Sequence, residues 1–202
     1  MKKIFLFLLA AIIMNSCSMS DLKETQFVED PEYPGLPIYS DMGYNTFGAY
    51  INDHTFYISP YNNDRPFYLV VDREGLNLSL YGYYQNTPLT MAFEIPLDAD
   101  FKMEDYHDLL SLDGNSFVID TISTTCRVKM EGDNAPSFVS IYSGHFTFEN
   151  IRQVIADKED TEVIVAGKFQ FRAVRPDGGY IDVAGGRFDL GVNETNFVNF
   201  RR

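Results

Sequence analysis

The chain has 202 residues, among them 17 Phe, 13 Tyr and no Trp, and a formal charge of −13. That length suits one domain with a real core. The acidic balance argues against a binder of phosphate backbones, so no nucleic-acid partner is expected, and it disfavours electrostatic docking on anionic lipid.

The N-terminus reads as an address. Lys2 and Lys3 precede an apolar run from Ile4 to Met14. A basic start and an apolar run shorter than the ~20 residues of a membrane span make an export signal. Asn15, Ser16 and Cys17 follow. A small residue and then Cys resembles a bacterial lipobox, although Met14 and Asn15 depart from its usual residues. The resemblance makes 1–16 a lipoprotein signal peptide and Cys17 the lipidation site, acylated by groups such as palmitate. It implies an outer-membrane lipoprotein of the cell envelope, held to the membrane by its anchor on either the periplasmic or the surface face. Cys126 is then left single, and between Thr125 and Arg127 in a strand-like run it reads as a small buried hydrophobe.

Residues 17–44 are acidic and broken by Pro31, Pro34 and Pro37, which predicts an extended tether. Tyr33 and Tyr39 are the residues that would fold back if it is not one. A single all-β domain is expected over 45–202. It opens with Phe47–Ile51 and His54–Ile58 around Asn52-Asp53, a hairpin pattern. Strands follow over 67–72, 76–83 and 91–95, with Leu76, Leu78, Leu80 and Gly82 on one face. Over 98–112 the alternation stops. Tyr106, Leu109 and Leu110 have helical spacing, and Asp98 or Asp100 suits an N-cap, so one short helix is expected. Strands resume over 117–122, 125–130 and 138–151, and 155–160 reads as a polar connection. From Gly167 the alternation of Phe169, Phe171 and Ala173 with Lys168, Gln170 and Arg172 predicts a strand. Pro176-Asp177-Gly178-Gly179 turns it back into a partner that runs to Val192.

One pattern occurs three times. Gly144-His145-Phe146, Gly167-Lys168-Phe169 and Gly186-Arg187-Phe188 share Gly-basic-Phe. Their spacing is too uneven for a solenoid or propeller. The expectation is three strands of one antiparallel sheet, each with a Gly where the strand bends. Phe146, Phe169, Phe171 and Phe188 should share a core, and His145, Lys168 and Arg187 should face water. The alternative is that the three basic residues converge on an anion. About ten short strands and at most one helix make the fold class all-β, either an antiparallel sandwich or an open, calycin-like barrel.

Catalytic and cofactor signatures are missing from the sequence: no G-x-S-x-G, H-E-x-x-H, C-x-x-C, P-loop or G-x-G-x-x-G occurs, so no cofactor is expected. His54, His107 and His145 have no second ligand at metal spacing. Asp98, Asp100, Glu104, Asp105 and Asp108 crowd the helix region, but without a calcium-loop pattern. Tyr57, Tyr61, Tyr68, Tyr81, Tyr83 and Tyr84 crowd one quarter of the chain. Tyr81 and Tyr83 are therefore candidate contacts for a protein or glycan partner, beside the reading that they simply fill strand faces.

Cys17 behind its leader, Phe47-x-Ala49-x-Ile51, Gly167-Lys168-Phe169-Gln170-Phe171 and Gly186-Arg187-Phe188-Asp189 together resemble uncharacterised lipoproteins of Bacteroidetes. In those an A-x-I-N-G hairpin opens the domain and a G-x-F-x-F…G-x-F-D pair closes it; here Asp53 stands where that Gly would be. The resemblance implies an all-β domain on a lipid anchor and brings no catalytic residues. Asp120-Thr121-Ile122 also resembles the short O-glycosylation signal of that phylum. The functional expectation is an envelope β-domain that binds a partner or ligand. An extracytoplasmic hydrolase, and a barrel holding a small apolar ligand, are the alternatives.

Overall fold

The computed structural model describes residues 25–58, 66–97, 101, 103–121, 125–156 and 159–200. Residues 1–16, expected as a signal peptide, and Cys17, Tyr61, Asp98, Asp100 and Ile122 lie outside them.

The architecture is all-β. Strands β1 (Glu29–Asp30) and β2 (Tyr33–Pro37) form a two-stranded ribbon. The other strands make one sheet: β3 (Thr46–Ile51), β4 (His54–Tyr57), β5 (Phe67–Val71), β6 (Leu76–Tyr84), β7 (Thr87–Ile95), β8 (Ser116–Val118), β9 (Arg127–Glu131), β10 (Ser140–Ala156), β11 (Glu159–Val174), β12 (Tyr180–Val192) and β13 (Phe197–Asn199). The spatial order is β13-β5-β6-β4-β3-β12-β11-β10-β8, while β7 pairs with β6 and carries β9. All ladders are antiparallel except β13 on β5. The sheet curls as an open half-barrel, the barrel side of the two expected architectures. Its two ends approach at one point. Asp120 N–H donates to the Cys126 carbonyl (2.9 Å) and Cys126 N–H donates to that of Val118 (3.0 Å).

The turns follow their chemistry. Asn52, at φ 52°, closes β3–β4 and donates its N–H to the Asp182 carbonyl of β12 (2.7 Å). Gln85 and Asn86, both at positive φ, close β6–β7, the backbone that a two-residue hairpin needs. Gly178, at φ +84°, sits in the β11–β12 turn, where the N–H of Arg175 meets the carbonyl of Gly179 (2.8 Å).

The Gly-basic-Phe pattern has a physical explanation in the register. Across β10–β11, Gly144 faces Phe171, Phe146 faces Phe169 and Phe148 faces Gly167. Across β11–β12, Gly167 faces Phe188 and Phe169 faces Gly186. Between β11 and β12 the paired Gly-x-Phe copies are self-complementary, because the rings of Phe188 and Phe169 lie in the space that Gly167 and Gly186 leave. A Cβ on Gly167 would stand 2.4 Å from Phe188 Cζ, and one on Gly186 2.4 Å from Phe169 Cδ2. The bends are present as well, with a register shift between Ala184 and Arg187 where Gly185 adopts φ +63°.

The four expected Phe residues share one core. Phe93 of β7 reaches across the curl to Phe146 (ring centroids 4.9 Å) and Phe169 (4.8 Å), and Phe146 stacks on Phe188 (5.3 Å). These rings fill the inside of the curl between β7 and β10–β12. Cys126 is fully buried in the same core, and burial, helped by the charge of Glu94, pushes its thiol up to about 12.

Three expectations are corrected. The one short helix is present, but as a 3-10 helix, Tyr106–Leu112, and its cap is Asp105 in place of the expected Asp98 or Asp100. Asp105 accepts from His107 N–H (2.8 Å), and Asp108 accepts from Glu104 N–H (2.6 Å), so these acids serve the helix start. The connection expected over 155–160 is shorter, since β10 continues to Ala156 and β11 starts at Glu159. The tether, over its described residues 25–44, packs on the domain. Leu36 is fully buried, and a Cβ on Gly48 of β3 would stand 2.8 Å from Pro37 Cδ. β3 and the second half of β12 are thus covered on both faces.

Candidate functional site

On β10, β11 and β12 the Phe residues point into the core, and the alternate side chains point outward. The basic residues of the three Gly-basic-Phe copies therefore share one outer face. Lys168 is the register partner of both Thr147 and Arg187, and His145 is that of Gln170. These side chains form the floor of a groove of about 620 Å³. Asp30, Tyr33 and Tyr39, from the segment expected as a tether, line it as well. Small-ligand sites occupy roughly 300–1,000 Å³.

His145, Lys168 and Arg187 thus line one groove, but the charge of the two fixed cations is not free. Arg187 pairs with Asp30, donates to the Pro37 carbonyl (3.4 Å) and lies 4.3 Å from the centre of the Tyr33 ring. It is 6 % exposed, which corrects the expectation that it faces water. The ribbon lies over β12 and takes solvent's place. Lys168 stays exposed, with its Nζ 2.9 Å from Glu149 Oε2 and 4.4 Å from the centre of the Tyr39 ring. Burial, and a hydrogen bond to Glu149, hold the Tyr39 hydroxyl well above its usual pKa, so it stays protonated. The Glu32 N–H (2.8 Å) and Arg187 hold the Asp30 carboxyl below its usual value against the opposing effect of burial. His145 is exposed, and the Gln170 amide nitrogen lies 3.2 Å from its Nε2.

A second outer-face residue of β12, Asp189, fixes the wall. It is 1 % exposed and accepts the N–H groups of Gly43 (2.7 Å), Tyr44 (3.1 Å) and Met42 (3.2 Å), together with the Ser40 hydroxyl. A buried carboxylate is stable only with such partners. Arg152 adds two hydrogen bonds to the Asp41 carbonyl (2.6 and 3.1 Å), and the Tyr50 hydroxyl donates to that of Pro34 (2.8 Å). The role of Asp189 was not recognised in the sequence. The only signal was that the third copy places an acid where the others place Thr147 and Gln170.

The tyrosine candidates lie elsewhere. Tyr81 and Tyr83 sit on the outer face of β6, separated from β12 by β4 and β3. Tyr81 is 41 % exposed and meets Tyr68 edge-on (6.3 Å), while Tyr83 pairs with Tyr57 and Pro88. His54 meets Tyr84 edge-on, and His107 lies 3.1 Å from Asp105, so neither reaches the groove. Thr121 is exposed and its hydroxyl lies 3.2 Å from Asp120 Oδ1. Among the described residues no group of three or more His, Cys, Asp or Glu is placed to hold a metal ion.

No family model matches the chain, and neither a curated protein nor a solved structure does.

Proposed function

We propose that this chain is a lipid-anchored, non-enzymatic β-domain of the bacterial cell envelope that holds a ligand in the groove over β10–β12. The observation that carries the reading is the groove, about 620 Å³ in volume. The segment that carries its lining residues Tyr33 and Tyr39 is pinned by Asp189, Arg152 and Tyr50 through hydrogen bonds that need no ligand. A preformed site loses less entropy on binding than a mobile one. Support for the anchor comes from Lys2-Lys3, the apolar run to Met14 and Cys17, and from the resemblance to Bacteroidetes lipoproteins. Binding is favoured over turnover because both carboxylates of the groove are committed to cations, Asp30 to Arg187 and Glu149 to Lys168. The interior is occupied by Phe rings, which leaves the outer face as the better place for a ligand.

Two measurements test the reading. Cells producing Cys17→Ser should lose the protein from the membrane fraction. A variant that still partitions with envelope membranes would remove the anchor from the proposal. A photo-crosslinking residue at position 147 should label an envelope component that the same residue at 79, on the outer face of β6, does not. Equal labelling at the two positions would remove the groove.

A further inference from the structure

Resting on the groove as the ligand site, we infer that its ligand is an uncharged, hydroxyl-rich molecule, a short segment of neutral glycan, and not the anion that three converging basic residues suggest. Charge is the first argument. The two fixed cations of the groove, Lys168 and Arg187, each face a carboxylate, Glu149 and Asp30. An anion would have to displace one of these carboxylates and approach a chain of formal charge −13. A neutral ligand meets neither penalty.

The second argument is the set of uncharged polar groups on the groove floor. A sugar presents donors and acceptors together on neighbouring hydroxyls, with an apolar C–H face between them. Gln170 brings an amide whose nitrogen already meets the His145 imidazole (3.2 Å), and Thr147 a hydroxyl shared with Ser116 (2.8 Å); the amide oxygen, a second amide N–H and the hydroxyl lone pairs keep capacity for a ligand. The paired carboxylates keep lone pairs that can accept from hydroxyls. Tyr33 supplies the apolar surface. The residue is 41 % exposed, and the guanidinium of Arg187 lies 4.3 Å from the centre of its ring. Aromatic rings with a polar tip suit a ligand that is apolar on one face and wet on its edges. The third argument is size: about 620 Å³ exceeds what a single ion fills and suits a chain of a few sugar units.

The test uses the full chain in detergent micelles on an array of immobilised oligosaccharides. Neutral gluco-, manno- and N-acetylglucosamine oligomers stand beside sialylated, sulfated and uronic-acid oligomers. Binding to at least one neutral series is expected, and Tyr33→Ala or Gln170→Ala should weaken it about tenfold, the loss of one or two good contacts. Both residues are exposed at the surface, and thermal melts should confirm that the variants fold. Binding confined to acidic oligomers overturns the neutral-ligand inference and leaves the groove in place. No binding to any oligosaccharide overturns the inference, while labelling from position 147 in envelopes reports separately on the groove. Neutral binding that both substitutions leave unchanged places the glycan elsewhere and overturns the inference as well as the groove reading.

Discussion

Arg187 and Asp189 lie two residues apart on the outer face of β12, and both charges are spent on the N-terminal segment. Arg187 holds the ribbon by Asp30, and Asp189 holds the loop behind it by three backbone N–H groups and a hydroxyl. The two are not equivalent. Arg187 has a stacked ring and two carbonyls to share its desolvation, whereas the donors of the loop converge on the single carboxylate of Asp189. Removing a carboxylate from buried donors leaves each unsatisfied, at about 1–3 kcal/mol apiece. Asp189→Ala should therefore lower the urea unfolding free energy by about 3 kcal/mol or more. A loss under about 1 kcal/mol would mean that water replaces the carboxylate and the clamp is dispensable.

At the scale of the element, β10, β11 and β12 are locked by fitting rings into glycine gaps. The tightest gap is at Gly167, where a Cβ would stand 2.2 Å from the Thr147 carbonyl oxygen and 2.4 Å from Phe188 Cζ. The carbonyl belongs to the ladder and cannot rotate away. Gly167→Ala should thus cost about 3 kcal/mol by overpacking, read by thermal or urea melts. Gly178→Ala serves as the contrast, because nothing lies within 4 Å of its Cβ position and only its φ of +84° resists the change. If Gly167→Ala were as mild as Gly178→Ala, the ring-in-gap account of the Gly-basic-Phe pattern would fail. The same strands carry the groove on their other face, so the substitution should also disturb the spacing of Thr147, Lys168 and Arg187.

For the whole molecule, the decisive feature is that the described part of the N-terminal segment is packed into the domain. Leu36 is buried, the loop at 40–44 is clamped, and β3 and β12 are covered by the segment. A tether would unfold independently, with its own low opening energy. Urea denaturation followed by far-UV circular dichroism and by the ring resonances of Tyr39 should therefore give coincident transitions, as one two-state unit does. An earlier transition at Tyr39 would show the segment peeling off on its own, and with it one wall of the groove.

Local pattern was enough for much of this fold. Alternating Phe and polar residues around Gly144, Gly167 and Gly186, and turn residues at Asn52-Asp53 and Pro176–Gly179, determined strands, hairpins and the all-β class, because side-chain period and turn backbone are short-range properties. The same alternation put His145, Lys168 and Arg187 on one face. Their partners were not legible. Whether Arg187 meets water or Asp30 depends on where a segment some 150 residues earlier in the chain settles, and Pro-broken, acidic composition describes both a tether and a strap. The role of Asp189 was hidden for the same reason, since its donors are backbone N–H groups brought to it only by the fold. Composition could report that the chain is acidic; only the tertiary structure decided that the groove is electrically balanced, because charge compensation is a matter of distance in space and not of position in sequence.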